Sequence, residues 1–314
     1  MDKGPWFRAP PGGQVMNSSA SQTVYLGSRQ PTVTNENPNP HELTIVVNTC
    51  DAYSDVLGIF FYAMKNFWPD CPYSVVINTE RETYNFPASV HNHVAPNGAD
   101  DWGQRLLSTL ESIDSEYVLM LYDDFILDAP VNNQRIAAAL HRLQSQARAV
   151  VAYLIDTSLP LNSAHADDPF MEIGDHVDYK LNSAPAIWSK QALMNYTAPG
   201  DTPWAWEVFG TYRTWGDGNL FFSLNPEHDD IYPYNYAKGG AIYRGKWVRE
   251  VVEQVANIYP LEIDWNQRGF SSNTGYEKRS FLWKFRFMQT GFRMVGFKAL
   301  NFLIGYIRTK CHAG

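Results

Sequence analysis

Two adjacent aspartates follow the most regular apolar run of the sequence, and their position predicts a site for a cation or a ligand. The run Tyr117–Tyr122 leads directly into Asp123 and Asp124, after which apolar residues resume. Two anions at the margin of a hydrophobic core repel each other and are costly to desolvate. A divalent cation offsets that cost, and Mg²⁺ or Mn²⁺ prefers carboxylate oxygens together with substrate phosphates. The alternative is that the pair caps a turn or the next helix.

A glutamate beside two tryptophans is the candidate general base. Glu207 follows Trp204 and Trp206, whose apolar bulk favours a protonated carboxyl group and whose rings present flat faces on which a sugar packs. A carboxylate is also stabilising at the start of a helix, where the helix dipole favours an anion. The sequence leaves both interpretations open.

Two more polar segments contain residue types that bind metals or phosphates. Segment 227–230 combines His228 with three acids, and only His228 is kept as a candidate metal ligand, because such Pro-flanked clusters are more often solvated loops. Lys238 and Arg244 lie near glycines, which would let the backbone approach a phosphate closely. A β-turn with surface cations is the alternative for this second segment.

The elements that must position these residues alternate between strand-like and helix-like segments. The β-branched, strand-like runs are 43–49, 73–78, 89–94, 117–122 and 149–154, and the helical stretches between them are 56–67, 102–113 and 133–147. This alternation predicts an α/β fold with a mostly parallel central sheet and helices on both faces. Weaker strands near 185–188, 220–224 and 241–243 are predicted to complete the same domain.

Polar residues cluster just after the predicted strands, where parallel sheets bind ligands outside the strands' carboxyl ends. These residues are Asn48, Asp51, Tyr53, Asn78, Glu80, Asp123 and Asp124. Because the carboxyl ends of parallel strands meet at one edge of the sheet, we expect them to converge on one crevice.

The composition limits the class of protein. The chain has 314 residues, 45% hydrophobic and 18% charged, which is typical of a globular protein with a sizeable core. Three cysteines exclude a disulfide scaffold, lack the spacing of a thiolate zinc site and fit a reducing compartment. The sequence shows no signal peptide and no apolar run of ~18–20 residues, so we expect a cytoplasmic protein.

Charge is distributed unevenly along the chain. After residue 277 there are eight Lys and Arg and no Asp or Glu, which leaves 17 cations against 33 anions in the rest. The acidic body argues against nucleic acid as a partner, whereas the basic tail implies an anionic one. Apolar tail residues recur at steps of four and three, namely Phe281, Phe285, Met288, Phe292, Val295, Ala299, Phe302 and Tyr306. This stripe predicts a helix lying on an anionic membrane surface, or alternatively an ordinary amphipathic helix packed on the domain.

The order of several short motifs resembles that of GT-A-type glycosyltransferases, most closely the bacterial sugar transferases of capsule and surface-polysaccharide assembly. The motifs fall within roughly residues 41–255 and are the segments 48–51, 102–107, 116–125, 182–188, 204–207 and 238–240 leading to 244–247. The family's usual carboxylate motif is Asp-X-Asp, from which Asp123-Asp124 departs. Neighbours on a strand point to opposite faces, so both aspartates can act only if the strand has already turned.

The resemblance implies a GT-A-like (Rossmann-like) glycosyltransferase that uses a nucleotide-sugar donor, a glycan or lipid-linked acceptor and a divalent cation, Mn²⁺ or Mg²⁺. Combined with the strand ends, it implies catalysis by Glu207 and Asp124; donor binding by Asn48, Asp51, Tyr53, Asn78, Asp101, Arg105 and Asp123; acceptor or phosphate binding by Trp188, Trp204, Trp206, Lys238 and Arg244; and metal binding by Asp123, Asp124 and His228.

The expected organisation has three parts and a cytoplasmic location at the inner face of the plasma membrane. Residues 1–40 form a flexible arm, 41–275 the catalytic domain (donor half about 41–155, acceptor half about 156–275) and 276–314 a basic amphipathic tail. Two alternatives remain: a membrane-associated carbohydrate-binding or inactive homologue, and a sugar nucleotidyltransferase. The latter ranks lower because segment 49–54 contains neither a glycine nor a cation to cradle a phosphate.

Overall fold

The computed structural model describes residues 42–85, 90–95, 101–162, 168–236, 239–257, 263–271 and 280–311, with side chains described as far as 305. The predicted arm, residues 1–40, and Lys238 lie outside these ranges.

The strands are β1 Leu43–Asn48, β2 Ser74–Thr79, β3 Val90–Val94, β4 Tyr117–Tyr122, β5 Ala149–Tyr153, β6 Phe170–Glu172, β7 Ala186–Ser189, β8 Leu220–Leu224, β9 Ile242–Tyr243 and β10 Lys246–Trp247. The helices are α1 Ser54–Phe67, α2 Trp102–Glu111, α3 Asn133–Gln144, α4 Lys190–Tyr196, α5 Pro203–Val208, α6 Arg249–Ala256, α7 Trp265–Arg268, α8 Phe281–Val295 and α9 Leu300–Cys311.

The central sheet has eight strands in the order β3-β2-β1-β4-β7-β5-β8-β6. Strands β3, β2, β1 and β4 run parallel, β7 is antiparallel between β4 and β5, β5 and β8 are parallel, and β6 is antiparallel at the edge. The prediction of an α/β fold with a mostly parallel sheet and C-terminal helices is confirmed. Strands from both halves of the chain share this one sheet.

The central strands are recognisable in the sequence because helices and loops cover them. All residues of β1 and β5 are buried, and β4 is buried from Val118 onward. Strands buried on both sides become nearly continuous apolar runs rather than alternating ones. Strand β6 has only three residues at the edge of the sheet, too short a run to stand out in the sequence.

The order of strands reverses at β1, which places a crevice at the carboxyl edge of the sheet. Strand β2 lies on one side of β1 and β4 on the other. Such a topological switch point is where open α/β sheets bind ligands. The antiparallel strand β7 begins at this same edge, since its first residue, Ala186, pairs with Met120 and Tyr153 near the ends of β4 and β5. Residues that precede β7 therefore join those that follow β1 and β4.

The C-terminal helices pack beside the sheet domain around a second, smaller apolar cluster. Residues of α5 and of the following 3-10 turn form its centre, and the residues packed on them from the tail include Phe287, Met288, Met294, Val295 and Phe302. Among the helices described, none combines the length and apolar character that a membrane span requires.

Candidate active site

The two adjacent aspartates lie in a turn at the end of β4. The strand ends at Tyr122, and the amide of Phe125 donates to the Tyr122 carbonyl at 3.1 Å. Because the chain has already turned, neighbouring side chains are no longer held on opposite faces. Asp123 is 3% exposed and Asp124 5% exposed. The Thr49 hydroxyl, which directly follows β1, donates to Asp123 Oδ2 at 2.6 Å, so the pair borders the crevice between β1 and β4.

A glycine turn closes over Asp124. The amide of Ala241 donates to the Asp124 carbonyl oxygen at 2.8 Å. A Cβ atom on Gly240, whose φ is +137°, would lie 2.7 Å from Asp124 Oδ2. Only glycine lets the backbone come this close. The sequence suggested that these glycines approach a phosphate, whereas the structure shows that they approach a carboxylate.

The electrostatic field of the crevice is negative. Burial raises the pKa of the Cys50 thiol to about 11, and Asp123 and Glu80 add to the rise. Burial likewise raises the pKa of Tyr53 above its ordinary value, with further contributions from Cys50, Asp123 and Asp124. Anionic neighbours make each group harder to ionise. A diphosphate bound here therefore needs a cation to offset this field.

An arginine that the sequence analysis missed reaches the same crevice. Arg268, the last residue of α7, pairs with Asp55 (Nε to Oδ2 2.6 Å), and its guanidinium lies 4.5 Å from the Tyr53 ring centre. Asp123 is one of the charges that raise the pKa of Arg268, after its hydrogen bond to Asp55. Arg268 lies 213 residues from Asp55 in the chain, so no local pattern could have indicated it.

A polar network joins the ends of β1 and β2 with α2. The Asp51 carboxylate accepts hydrogen bonds from the amides of Arg81 and Glu82, each at 3.3 Å. The amide of Asp51 donates to Glu80 at 3.1 Å, and Glu80 pairs with the buried guanidinium of Arg105 at 3.2 Å. The predicted convergence of these strand ends is therefore present. In this structure Arg105 pairs with Glu80, and its predicted contact with a donor stays a prediction.

Three of the predicted donor-binding residues have structural contacts. Asn48 and Asn78 are fully buried, and the Asn78 amide donates to Asn48 Oδ1 at 2.9 Å, which links β1 to β2. Asp101 caps α2 by accepting the amide of Gln104 at 2.9 Å. Asn78 Oδ1 has no hydrogen-bond partner among the described residues, so donor contact by the two asparagines stays a prediction.

Glu207 lies at the same edge of the sheet, on the far side of β4 from β1. Its carboxylate is 6% exposed and accepts the amide of Ser183, just before β7, at 2.7 Å. Burial raises the pKa of Tyr122, and Glu207, Asp124 and Asp123 add to the rise, so all three carboxylates act on this one hydroxyl. Glu207 is the fifth residue of the six-residue helix α5 and not in its first turn. The alternative that it serves as a helix-start anion is therefore wrong.

Helix α5 is fixed by buried contacts on the side away from the crevice. Thr202 caps it, and Pro203 occupies its first turn. The preceding Asp201, 1% exposed, pairs with both terminal nitrogens of Arg213 at 2.5 and 2.8 Å. The Trp206 indole donates to the Tyr196 carbonyl at 3.1 Å. These contacts hold the backbone that carries Glu207.

The tryptophans predicted to contact the acceptor are used for packing. Trp188 and Trp206 are fully buried, with ring centres 5.9 Å apart, and Trp206 also meets Trp102. Trp204 stacks on Phe287 of α8, with ring centres 3.8 Å apart. The prediction that Trp188 and Trp206 face a sugar is wrong, because their large apolar surfaces are buried between α5, α2 and the sheet.

The predicted metal ligands are only partly brought together. No group of three or more His, Cys, Asp or Glu among the described residues is placed to hold a metal ion, so His228 does not complete a set with the aspartates. Mg²⁺ and Mn²⁺ are commonly held by one or two carboxylates plus substrate phosphates. Asp123 and Asp124 fit that donor set. Arg244, which was predicted to bind the acceptor or a phosphate, lies in the turn between β9 and β10 with a φ of +52°.

The comparisons with known proteins show a likeness of fold. No protein-family model matches the chain, and no curated protein is similar to it. Similar solved structures include S. aureus TarS, at 13% identity, a TM-score of 0.45 and coverage of 81% of this chain and 50% of that chain. A mannosyltransferase from Pyrobaculum calidifontis, solved with GDP-Man and Mn²⁺, has 11% identity, a TM-score of 0.42 and coverage of 62% and 58%. A cytidylyltransferase from Leptospira borgpetersenii has 13% identity, a TM-score of 0.37 and coverage of 61% and 79%.

The likeness is one of fold alone, and it agrees with the α/β sheet described above. The matched part spans only half of the TarS chain and 58% of the mannosyltransferase. At such identities and TM-scores the similarities carry no argument about the reaction, which is inferred below from the geometry of the site.

Proposed function

We propose that this protein is a glycosyltransferase that moves a sugar from a nucleotide-diphosphate donor to a glycan or lipid-linked glycan. One observation carries the proposal. The buried pair Asp123-Asp124 lies at the β1–β4 switch point, and Glu207 lies at the same edge of the sheet, near Tyr122. The arrangement offers a place for a charged leaving group and a separate carboxylate for the incoming hydroxyl.

The donor end of the proposed site combines carboxylates with arginines. Asp123 and Asp124 would hold a divalent cation, which when bound neutralises the diphosphate and stabilises it as a leaving group. Thr49 fixes Asp123 through its hydroxyl, and the glycine turn fixes Asp124. Arg268 adds positive charge from the α7 side. Lys238 and Arg244 remain candidates for binding the phosphates.

The acceptor end is assigned to Glu207. In an inverting transfer the bond between the sugar carbon and the diphosphate oxygen breaks, the acceptor oxygen bonds to that carbon, and the acceptor proton passes to Glu207. The amide of Ser183 donates to the carboxylate of Glu207 and orients it. The chemistry fits an enzyme of surface-polysaccharide synthesis that takes its donor from the cytoplasm.

A donor-hydrolysis and transfer screen tests this function. The full chain is incubated with UDP-, GDP-, dTDP- and CMP-sugars, with Mn²⁺ or with excess chelator, and nucleotide release is followed. We expect one nucleotide class to be released only with the metal present. A parallel arm supplies nucleoside triphosphates with sugar 1-phosphates. Pyrophosphate release there would identify a nucleotidyltransferase, and binding of donor or glycan without turnover would identify a binding protein or inactive homologue.

A further inference from the structure

Helix α8 has one face committed to the domain. Phe287 stacks on Trp204 of α5 and contacts Phe209, with ring centres 3.8 and 4.6 Å apart. Gly291 is buried, and a Cβ atom there would lie 2.5 Å from the Phe209 ring. Trp283 extends the same stack at 5.0 Å from Trp204. This face cannot bind anything else without detaching the helix.

The opposite face of α8 is apolar and exposed. Phe281 is 86% exposed, Phe285 61% and Phe292 40%. With about 100° of rotation per residue, these three lie about 120–160° around the helix axis from Phe287. Exposed apolar side chains continue into the next turn and α9, namely Phe297, Leu300, Leu303 and Ile304. Soluble proteins rarely leave so many large apolar side chains of one segment uncovered.

This exposed surface is specific to the tail. Of the nine exposed large hydrophobic side chains among the described residues, eight belong to residues 281–304, and the ninth is Tyr236. The predicted stripe is divided: its members Phe281, Phe285 and Phe292 point outward, while Val295 and Phe302 pack on the domain. A helix that only filled the core would bury the first group too.

Cations flank the exposed apolar face. Arg286 and Arg293 lie along one margin of this face, rotated about 100–120° around the helix axis from Phe287, on the side opposite Phe281. Lys284 lies near the other margin. All three are exposed. The chain has no Asp or Glu after residue 277. A surface that is both apolar and purely cationic complements a partner with an apolar interior and anionic surface groups.

We propose that one surface, made of the outer face of α8 and residues 297–304, docks on an anionic lipid bilayer, with α8 lying in the plane of the interface. A basic amphipathic helix with aromatic residues on its apolar face binds in this way. The rest of the chain, with 17 cations against 33 anions, is repelled on average by the same lipids, which favours approach through this cationic face. Two copies joined through this face would instead bring their cations together.

The docking would also place the proposed active site near the lipid. Helix α5 turns Trp204 toward α8 and Glu207 toward Ser183. Packed helices have axes about 8–10 Å apart, so only one helix layer would separate α5 from the membrane. This consequence rests on the proposed function and favours a lipid-linked acceptor, whereas the docking itself does not depend on it.

Sedimentation with lipid vesicles tests the docking. The full chain is mixed with vesicles of phosphatidylcholine alone or of phosphatidylcholine with phosphatidylglycerol, without donor or acceptor, so failure of the proposed function cannot affect the outcome. We expect strong sedimentation only with the anionic vesicles. The variants Phe281→Ser/Phe285→Ser and Arg286→Gln/Arg293→Gln should each lower the partition coefficient roughly tenfold or more.

Matched variants on the body separate the proposed face from general charge and hydrophobicity. Lys65→Gln/Arg148→Gln removes two exposed cations from the body, and Tyr236→Ser removes the exposed aromatic residue outside the tail. Both should sediment like the unaltered chain, and thermal unfolding should be unchanged in all four variants. Equal binding to both lipids, no binding, or equal losses in the body variants would overturn the proposal. The proposal would also be overturned if the unaltered chain self-associated without binding vesicles and the Phe variants lost that self-association. That result would make the face a contact between two copies of the chain.

Discussion

The carboxyl edge of the sheet and the outer face of α8 are opposites in composition and exposure. At the sheet edge the carboxylates of Asp123, Asp124 and Glu207 are almost wholly buried, and each is fixed by a hydrogen bond or a close backbone contact. The face of α8 exposes phenylalanines between cations. A protein keeps buried charge only where other groups stabilise it, and exposed apolar surface chiefly where a partner covers it. Both regions therefore indicate binding, one of a small charged ligand and the other of an extended surface.

Helix α5 is where the two regions meet. It carries Glu207 on the side of the sheet edge and Trp204 on the side of α8. The comparison predicts that changes at the sheet edge abolish chemistry and leave the fold intact. Changes on the packed face of α8 should alter stability, and changes on its outer face only lipid binding.

The largest effect is expected from the aspartate pair. Asp123→Asn/Asp124→Asn should reduce sugar transfer by roughly four orders of magnitude or more, because a metal-held leaving group is worth several kcal/mol in the transition state. The unfolding temperature should change little, because the isosteric amides keep the shape of the turn. Asp114→Asn, an exposed aspartate before the other end of β4, is the matched control. Full activity of the double variant would show that the pair takes no part in transfer.

The next effect concerns the proposed base. Glu207→Gln keeps the shape and can still accept the Ser183 amide, but it cannot take up the acceptor proton. We expect transfer to fall by roughly two to four orders of magnitude, while the Kd of the donor nucleotide stays unchanged. Steady-state kinetics and calorimetric titration measure the two quantities, with exposed Glu111→Gln as control. Loss of donor binding would instead assign Glu207 to the donor site.

A smaller effect, on stability, is expected at the packed face of α8. Gly291→Ala adds a Cβ atom that would meet Phe209 at 2.5 Å, so the helix must shift or detach. Overpacking typically costs about 1–3 kcal/mol, only partly offset by the better helix propensity of alanine. Thermal unfolding and limited proteolysis of the tail measure the change. Gln289→Ala, on the exposed side of the same helix, should be nearly neutral. Equal stability of both variants would show that α8 is not firmly packed.

The smallest effect is a shift in the reactivity of a cysteine. Because the pKa of Cys50 is raised to about 11, its alkylation rate in the metal-free protein should keep rising well above pH 9.0, where an ordinary thiol would level off. Asp123→Asn should lower that pKa and increase the rate severalfold at any fixed lower pH. Mass-spectrometric mapping follows each peptide separately. Cys71, whose pKa is raised to about 12 mainly by burial and not by Asp123, is the internal control and should not respond.

Sequence patterns alone predicted the central strands, the helices of the first half and the position of the aspartate pair. Strands β1, β4 and β5 are short and buried on both sides, so they appear as continuous apolar runs. Residues after parallel strands must gather at one edge, which places Asp51, Glu80 and Asp123 together without further information. The amphipathic character of the tail could also be predicted, because helical periodicity depends only on residues that are close together in the sequence.

The accessibility of those residues, and the groups that face them, depend on how distant parts of the chain pack together. Trp188 and Trp206 are buried in the core, which residue type alone did not show, and the Asn78 amide donates to Asn48 across β1 and β2. Arg268 approaches Asp123 through contacts between distant parts of the chain, which no spacing rule contains. On α8 the helical periodicity predicts an apolar stripe, but which of its side chains are covered depends on whether Phe209 and Trp204 meet them. Periodicity defines the faces of a helix, and only packing shows which face is left for a partner.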